Sequence, residues 1–186
     1  MGKFLLGVIV TLLVLTLGGL GYAMLGFAPT PANVEPPTWE RHLAMSAVDA
    51  SMDRHAPHVT NPLMPTDDNL KDGMKLYTMN CAWCHGALDR KPSPVATSFY
   101  PPPPNLVAHP PDDPEFRIYY TIRTGIRYTG MPAWDKSLSD LDMWKVTMFL
   151  SHMEKLPPGV QEFWKQNFSP SPEPEKKEPE KSADHH

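Results

Sequence analysis

Cys81-Ala82-Trp83-Cys84-His85 places two thiols and an imidazole in one short run, and the chain has no other cysteine. Two thiols three positions apart on a helical turn can each add to a vinyl arm of a single porphyrin. The next residue then offers its imidazole to the iron from the same side. The C-x-x-C-H spacing therefore predicts one covalent haem c, held through Cys81 and Cys84, with His85 as an axial metal ligand. Other uses of such a pair fit less well. A disulfide framework needs cysteines far apart in the chain. A thioredoxin-like pair needs a β-α-β setting, and no segment here alternates like a strand. A zinc site wants a second ligand pair, whereas His85 is the sole histidine close to the cysteines.

A second axial ligand is expected downstream, in Gly130-Met131-Pro132-Ala133-Trp134. Glycine and proline around Met131 favour a turn that can push its thioether toward iron. Thioether is a soft donor, and His/Met ligation raises a haem's reduction potential. With 11 methionines in the chain, most must be packing residues. Met74, Met143 and Met148 fall on predicted helices, and Met79 is too near the attachment motif to reach the other haem face. Met131 is the methionine with the loop setting. Arg123, Arg127, Tyr128 and Trp134 can donate to haem propionates; Arg127 and Trp134 are retained as pocket candidates. His42, His55, His58, His109 and His152 read as surface or loop residues.

These groups have to be held by helices. Asp67 or Asp68 can cap a helix carrying Leu70, Met74 and Tyr77 that runs straight into Cys81. Residues 87–111 form a long proline-rich loop, including Pro101-Pro102-Pro103-Pro104, of a length that usually wraps around something. Asp113-Pro114-Glu115 starts another helix, which Gly125 ends. A last helix opens at Ser139, paired with Asp142, carries Leu141, Trp144, Val146, Met148 and Phe149, and stops at Pro157. The fold class predicted is all-α.

From about residue 67 to 156 the chain resembles the class I cytochrome c family. The resemblance rests on a helix entering C-x-x-C-H, a Pro-Asn-Leu segment, a Met-Pro loop and a closing helix, in that order. It implies the class I cytochrome c fold, in which the first and last helices cross at a small residue; Gly73 with Tyr77, facing Trp144 or Phe149, matches that contact. It also implies that the Pro104 carbonyl accepts the other ring N–H of His85, and that Leu106 packs on the haem face. Beyond that region the layout is similar to small membrane-bound cytochrome subunits of quinol-oxidising complexes such as alternative complex III.

The rest of the chain is spacer, anchor and tail. Residues 1–3 form a short cytoplasmic end, and Lys3 precedes an uncharged run over 4–27. As a helix that run would span about 36 Å, against about 30 Å of hydrocarbon. A cleaved secretory signal is the competing reading, with Thr30-Pro31-Ala32 as its cut site. The run is longer than a signal core, which favours an uncleaved anchor. Residues 28–66 are a proline-rich linker with an amphipathic helix over 38–54, expected to pack against the domain behind it. Residues 157–168 are a short extension in which Phe163, Trp164 and Phe168 can dock, and 169–186 is a Pro/Glu/Lys tail expected to be disordered. Twenty-three prolines cluster in 29–37, 92–114 and 157–179, so the chain is not one uniform globule.

Net charge is −4, without grouped basic runs outside the tail, which argues against nucleic acid as a partner. The expected protein is a single-pass electron carrier, or an electron-transfer subunit of a larger complex, rather than an enzyme. It would sit in a bacterial cytoplasmic membrane with its haem domain on the periplasmic side of a respiratory chain. Its redox partners would be a quinol-oxidising complex or dehydrogenase as donor and a terminal oxidase as acceptor. The alternative is a haem enzyme or gas-binding sensor with an open sixth iron position.

Overall fold

The structure is a computed structural model that describes residues 1–88 and 91–168. The expected disordered tail, 169–186, lies outside the described residues. Among those described there is no strand, and the architecture is all-α. Two compact units divide the chain, Met1–Pro36 and the part from Pro37 onward.

The first unit is α1 (Gly2–Met24), a helix long and apolar enough to cross a membrane by length and composition. It is exposed along its length, so no protein core accounts for its leucines and valines.

The second unit contains α2 (Thr38–His55), α3 (Asp67–Asn80), α4 (Ala82–His85), α5 (Glu115–Thr124), α6 (Asp140–Ser151) and α7 (Pro158–Phe168). α3 and α6 form its centre. Leu70, Met74 and Tyr77 recur at helical spacing on α3 and are fully buried, against Met143, Val146 and Phe149 of α6. The two helices meet at Gly73, where an added Cβ would stand 2.7 Å from the Lys145 carbonyl carbon and 3.0 Å from Phe149 Cβ. Tyr77 packs on Phe149 with ring centroids 5.5 Å apart, so Phe149 is the partner of Tyr77. Trp144 instead stacks flat on Tyr119 of α5, 3.9 Å away. α7 covers the far side, with Trp164 edge-on to Phe149 at 5.2 Å.

The helix starts follow local chemistry. Ser139 Oγ accepts the Asp142 N–H at 3.1 Å and donates to the Asp142 carboxylate at 2.7 Å, a reciprocal cap at the start of α6. At α3 the cap is Thr66, whose Oγ1 accepts the Asn69 N–H at 3.3 Å; Asp67 and Asp68 occupy the first turn, where their charge faces the helix dipole. α2 has Pro37 at its N-cap position, with Thr38 already helical. α2 rests on α5 through its second half. Met52 is buried there, and Arg117 reaches Asp49 (3.7 Å), Asp53 (3.4 Å) and Asp113 (3.2 Å). Trp39 and Leu43 remain exposed, so the packed row is Val48 and Met52.

Candidate functional site

α3 delivers the chain to the cysteine motif without a loop. Cys81 is its C-cap, and the Cys81 carbonyl then accepts both the Cys84 N–H (3.1 Å) and the His85 N–H (2.9 Å), which closes the single turn of α4. Cys81 and Cys84 are therefore two free, half-buried thiols on one turn. Burial pushes the Cys81 thiol up to about 12, with a smaller contribution from nearby Cys84, and burial also raises Cys84. Burial thus favours the neutral thiol form of both side chains.

His85 is fixed from two directions. Its Nδ1 lies 2.9 Å from the Pro104 carbonyl oxygen, and since a carbonyl only accepts, Nδ1 carries the proton. Nε2 is left as a bare lone pair with no hydrogen-bond partner among the described residues. Burial lowers the pKa of the ring, and the Pro104 contact opposes that more weakly. A neutral imidazole with its lone pair on Nε2 is the form that ligates a metal. The backbone of His85 is held as well: its carbonyl accepts the Leu106 N–H at 3.0 Å. Tyr77, fully buried on α3, donates its hydroxyl to the Gly86 carbonyl at 2.7 Å and lies 3.3 Å from that of His85. Burial raises the Tyr77 pKa, so this donor does not ionise.

Met131 stands on a separate loop between α5 and α6 and is half-buried. α5 ends at Gly125, whose φ of +63° suits glycine, and a Cβ there would lie 2.6 Å from the backbone of Pro132 and Ala133. The loop turns back across that point. Ile126 N–H donates to the Met131 carbonyl (3.1 Å), and Trp134 N–H to the Ile122 carbonyl (3.2 Å). Met131 N–H donates to Thr129 Oγ1 at 3.0 Å. From the proline-rich loop, the Phe99 ring lies under Gly130, where a Cβ would come within 3.1 to 3.3 Å of it.

The structure brings Pro104 and Leu106 to His85, and sets Trp134 beside the Met131 loop, packed against the core together with Leu106. Arg127 is exposed and makes no ion pair among the described residues. Tyr77, Phe99 and Thr129 escaped the sequence reading as site residues. Thr129 had a signal, a hydroxyl residue two before Met131 in a turn. Phe99 had none, because nothing local ties it to Gly130.

The donor set fits a covalently held haem: two thiols on one turn, and a neutral imidazole whose proton is committed to Pro104. A family model described as "Cytochrome C oxidase, cbb3-type, subunit III" matches residues 68–150. No curated protein matches the chain. Among solved structures, a chain of the Kuenenia stuttgartiensis reducing HAO-like protein complex is similar at 24% identity, over 55% of this chain and 53% of that one, with a TM-score of 0.43. The matched part is thus about half of that chain's length.

Proposed function

We propose that residues 68–150, which the cbb3-type cytochrome subunit III family model matches, form a class I c-type cytochrome domain, and that this chain is a membrane-anchored monohaem electron carrier or relay in a respiratory chain. Cys81 and Cys84 would hold the porphyrin by thioether bonds, and His85 and Met131 would be the side chains that ligate its iron. The observation that carries the reading is the 2.9 Å contact between His85 Nδ1 and the Pro104 carbonyl, which commits the ring proton away from the metal side.

Bound haem c would supply a one-electron couple at its iron. His85 keeps its proton on Nδ1 and its lone pair on Nε2 throughout. Pro104 orients the ring and raises its basicity. Leu106 and Trp134, both packed on the core, would help to keep water from the bound group. Arg127, exposed and unpaired among the described residues, supplies a cation for a propionate. With His85 and Met131 both as iron ligands, no site would be left for a substrate, and electron transfer would be outer-sphere. This separates a carrier from a haem enzyme or gas sensor.

α1 would be the single-pass anchor, with the haem domain on the periplasmic side and the proline spacer between them. A quinol-oxidising complex or dehydrogenase would be the donor and a terminal oxidase the acceptor. Exchange of residues 1–36 for a cleavable export signal should release the haem protein from membranes.

The test is the visible spectrum of the full-length protein in detergent, with Met131→Ala beside it. A weak band at the red edge of the oxidised spectrum, lost on reduction and absent in Met131→Ala, supports sulfur ligation. A band that survives in Met131→Ala assigns the ligand elsewhere. A high-spin wild type that binds carbon monoxide readily moves the protein to the enzyme or sensor class.

A further inference from the structure

The Met131 loop contains a hydroxyl that the ligand set does not account for. Thr129 Oγ1 donates to the Ile126 carbonyl at 2.7 Å and accepts the Met131 N–H at 3.0 Å. The Met131 carbonyl in turn accepts the Ile126 N–H at 3.1 Å. Both backbone groups of Met131 are therefore tied to Ile126, one directly and one through the threonine hydroxyl. The bracket closes over Tyr128, which is almost wholly exposed and has a φ of +62°, a left-handed conformation that tyrosine keeps only where surrounding bonds hold it. Phe99, against Gly130, restrains the loop from the other side.

We propose that Thr129 is a positioning residue for the sulfur ligand, its hydroxyl holding the Met131 backbone where the thioether meets the iron. The proposal rests on Met131 being that ligand. A soft thioether binds ferric iron weakly, so a loop free to swing would yield its position to added ligands. A backbone bracketed at both N–H and C=O removes that freedom before the metal bond forms, and the bond then loses less conformational entropy. Valine has nearly the shape of threonine but neither donates nor accepts, so Thr129→Val opens the bracket without emptying the site. Serine retains the hydroxyl.

The experiment titrates imidazole into the oxidised, haem-loaded full-length protein in detergent, for wild type, Thr129→Val, Thr129→Ser and Met131→Ala. Far-ultraviolet circular dichroism and haem content accompany each variant. Thr129→Val is expected to bind imidazole about three- to tenfold more tightly than wild type, the worth of one hydrogen bond, and to show a weaker red-edge band. Thr129→Ser is expected to match wild type on both. Equal imidazole affinity in Thr129→Val and wild type overturns the proposal, as does an equal shift in the valine and serine variants. Should the valine variant lose its haem, the serine variant decides: wild-type affinity upholds the role of the hydroxyl, and a loosened site overturns it. Met131→Ala separates the two readings. If it keeps the red-edge band, the ligand assignment fails and takes this proposal with it. If it loses the band while Thr129→Val behaves as wild type, ligation stands and positioning by Thr129 falls.

Discussion

Gly73 lies flush against the Lys145 carbonyl, so that the backbones of α3 and α6 touch where side chains separate most helix pairs. A methyl group at that point would overlap main-chain atoms, which cannot rotate out of the way.

Gly73→Ala tests that contact. Alanine favours a helix over glycine by about 1 kcal/mol, so on an isolated helix the change would stabilise. Here overpacking opposes it by about 1–3 kcal/mol or more, because the obstructing atoms are backbone. The expected result is a net loss of stability, read as a lower urea midpoint at unchanged slope. A midpoint at or above wild type would mean that α3 and α6 can move apart freely.

Tyr77→Phe tests the strut under the cysteine motif. The ring contact with Phe149 survives, and the His85 carbonyl keeps the Leu106 N–H. The Gly86 carbonyl loses its 2.7 Å donor in a buried setting. A cost of about 1–2 kcal/mol follows from one buried acceptor left unpaired. Chemical denaturation of the haem-free and haem-loaded forms would measure it. A change below a few tenths would mean that water replaces the phenol there.

Asp72 carries a pH dependence of defined sign. Hydrogen bonds from Lys145 (3.0 Å) and then Lys75 (3.2 Å) hold its carboxyl below the usual value of 3.8. The folded state therefore favours the ionised form. The resulting stability is fully present above about pH 4–5 and is lost as pH falls through the lower folded value. Asp72 is 41% exposed, so the effect stays under about 1 kcal/mol and shrinks with salt. Wild type should exceed Asp72→Asn by a constant margin at neutral pH, and the two should converge in acid. Parallel acid-unfolding curves would show that the pair contributes nothing.

Much of this arrangement could be read from residue types because it is local. The Ser139–Asp142 cap, the stop at Gly125 and the helix that runs into Cys81 each depend on neighbours a few positions apart. Burial of Met74, Met143 and Met148 followed from helical spacing in the same way. The cap of α3 is Thr66 and not Asp67 or Asp68, since all three are good caps and only the backbone angles choose among them. For α2, the apolar row with the largest side chains, Trp39 and Leu43, is the exposed one. The row that packs meets α5, where Met52 is buried and Arg117 reaches Asp49 and Asp53, a contact between segments distant in the chain. Phe99 against Gly130 joins two loops whose conformations are set elsewhere, and no periodicity encodes such a contact.

The loop that supports His85 has one more property. Pro101 to Pro104 carry no amide hydrogen, so the segment whose last carbonyl orients the imidazole has nothing to exchange with deuterated water. Hydrogen-exchange mapping would pass over it in silence, reporting the helices on either side while the support itself opened or held. Its motion would have to be followed at carbon, through carbonyl chemical shifts or the isotope-edited amide I band of Pro104.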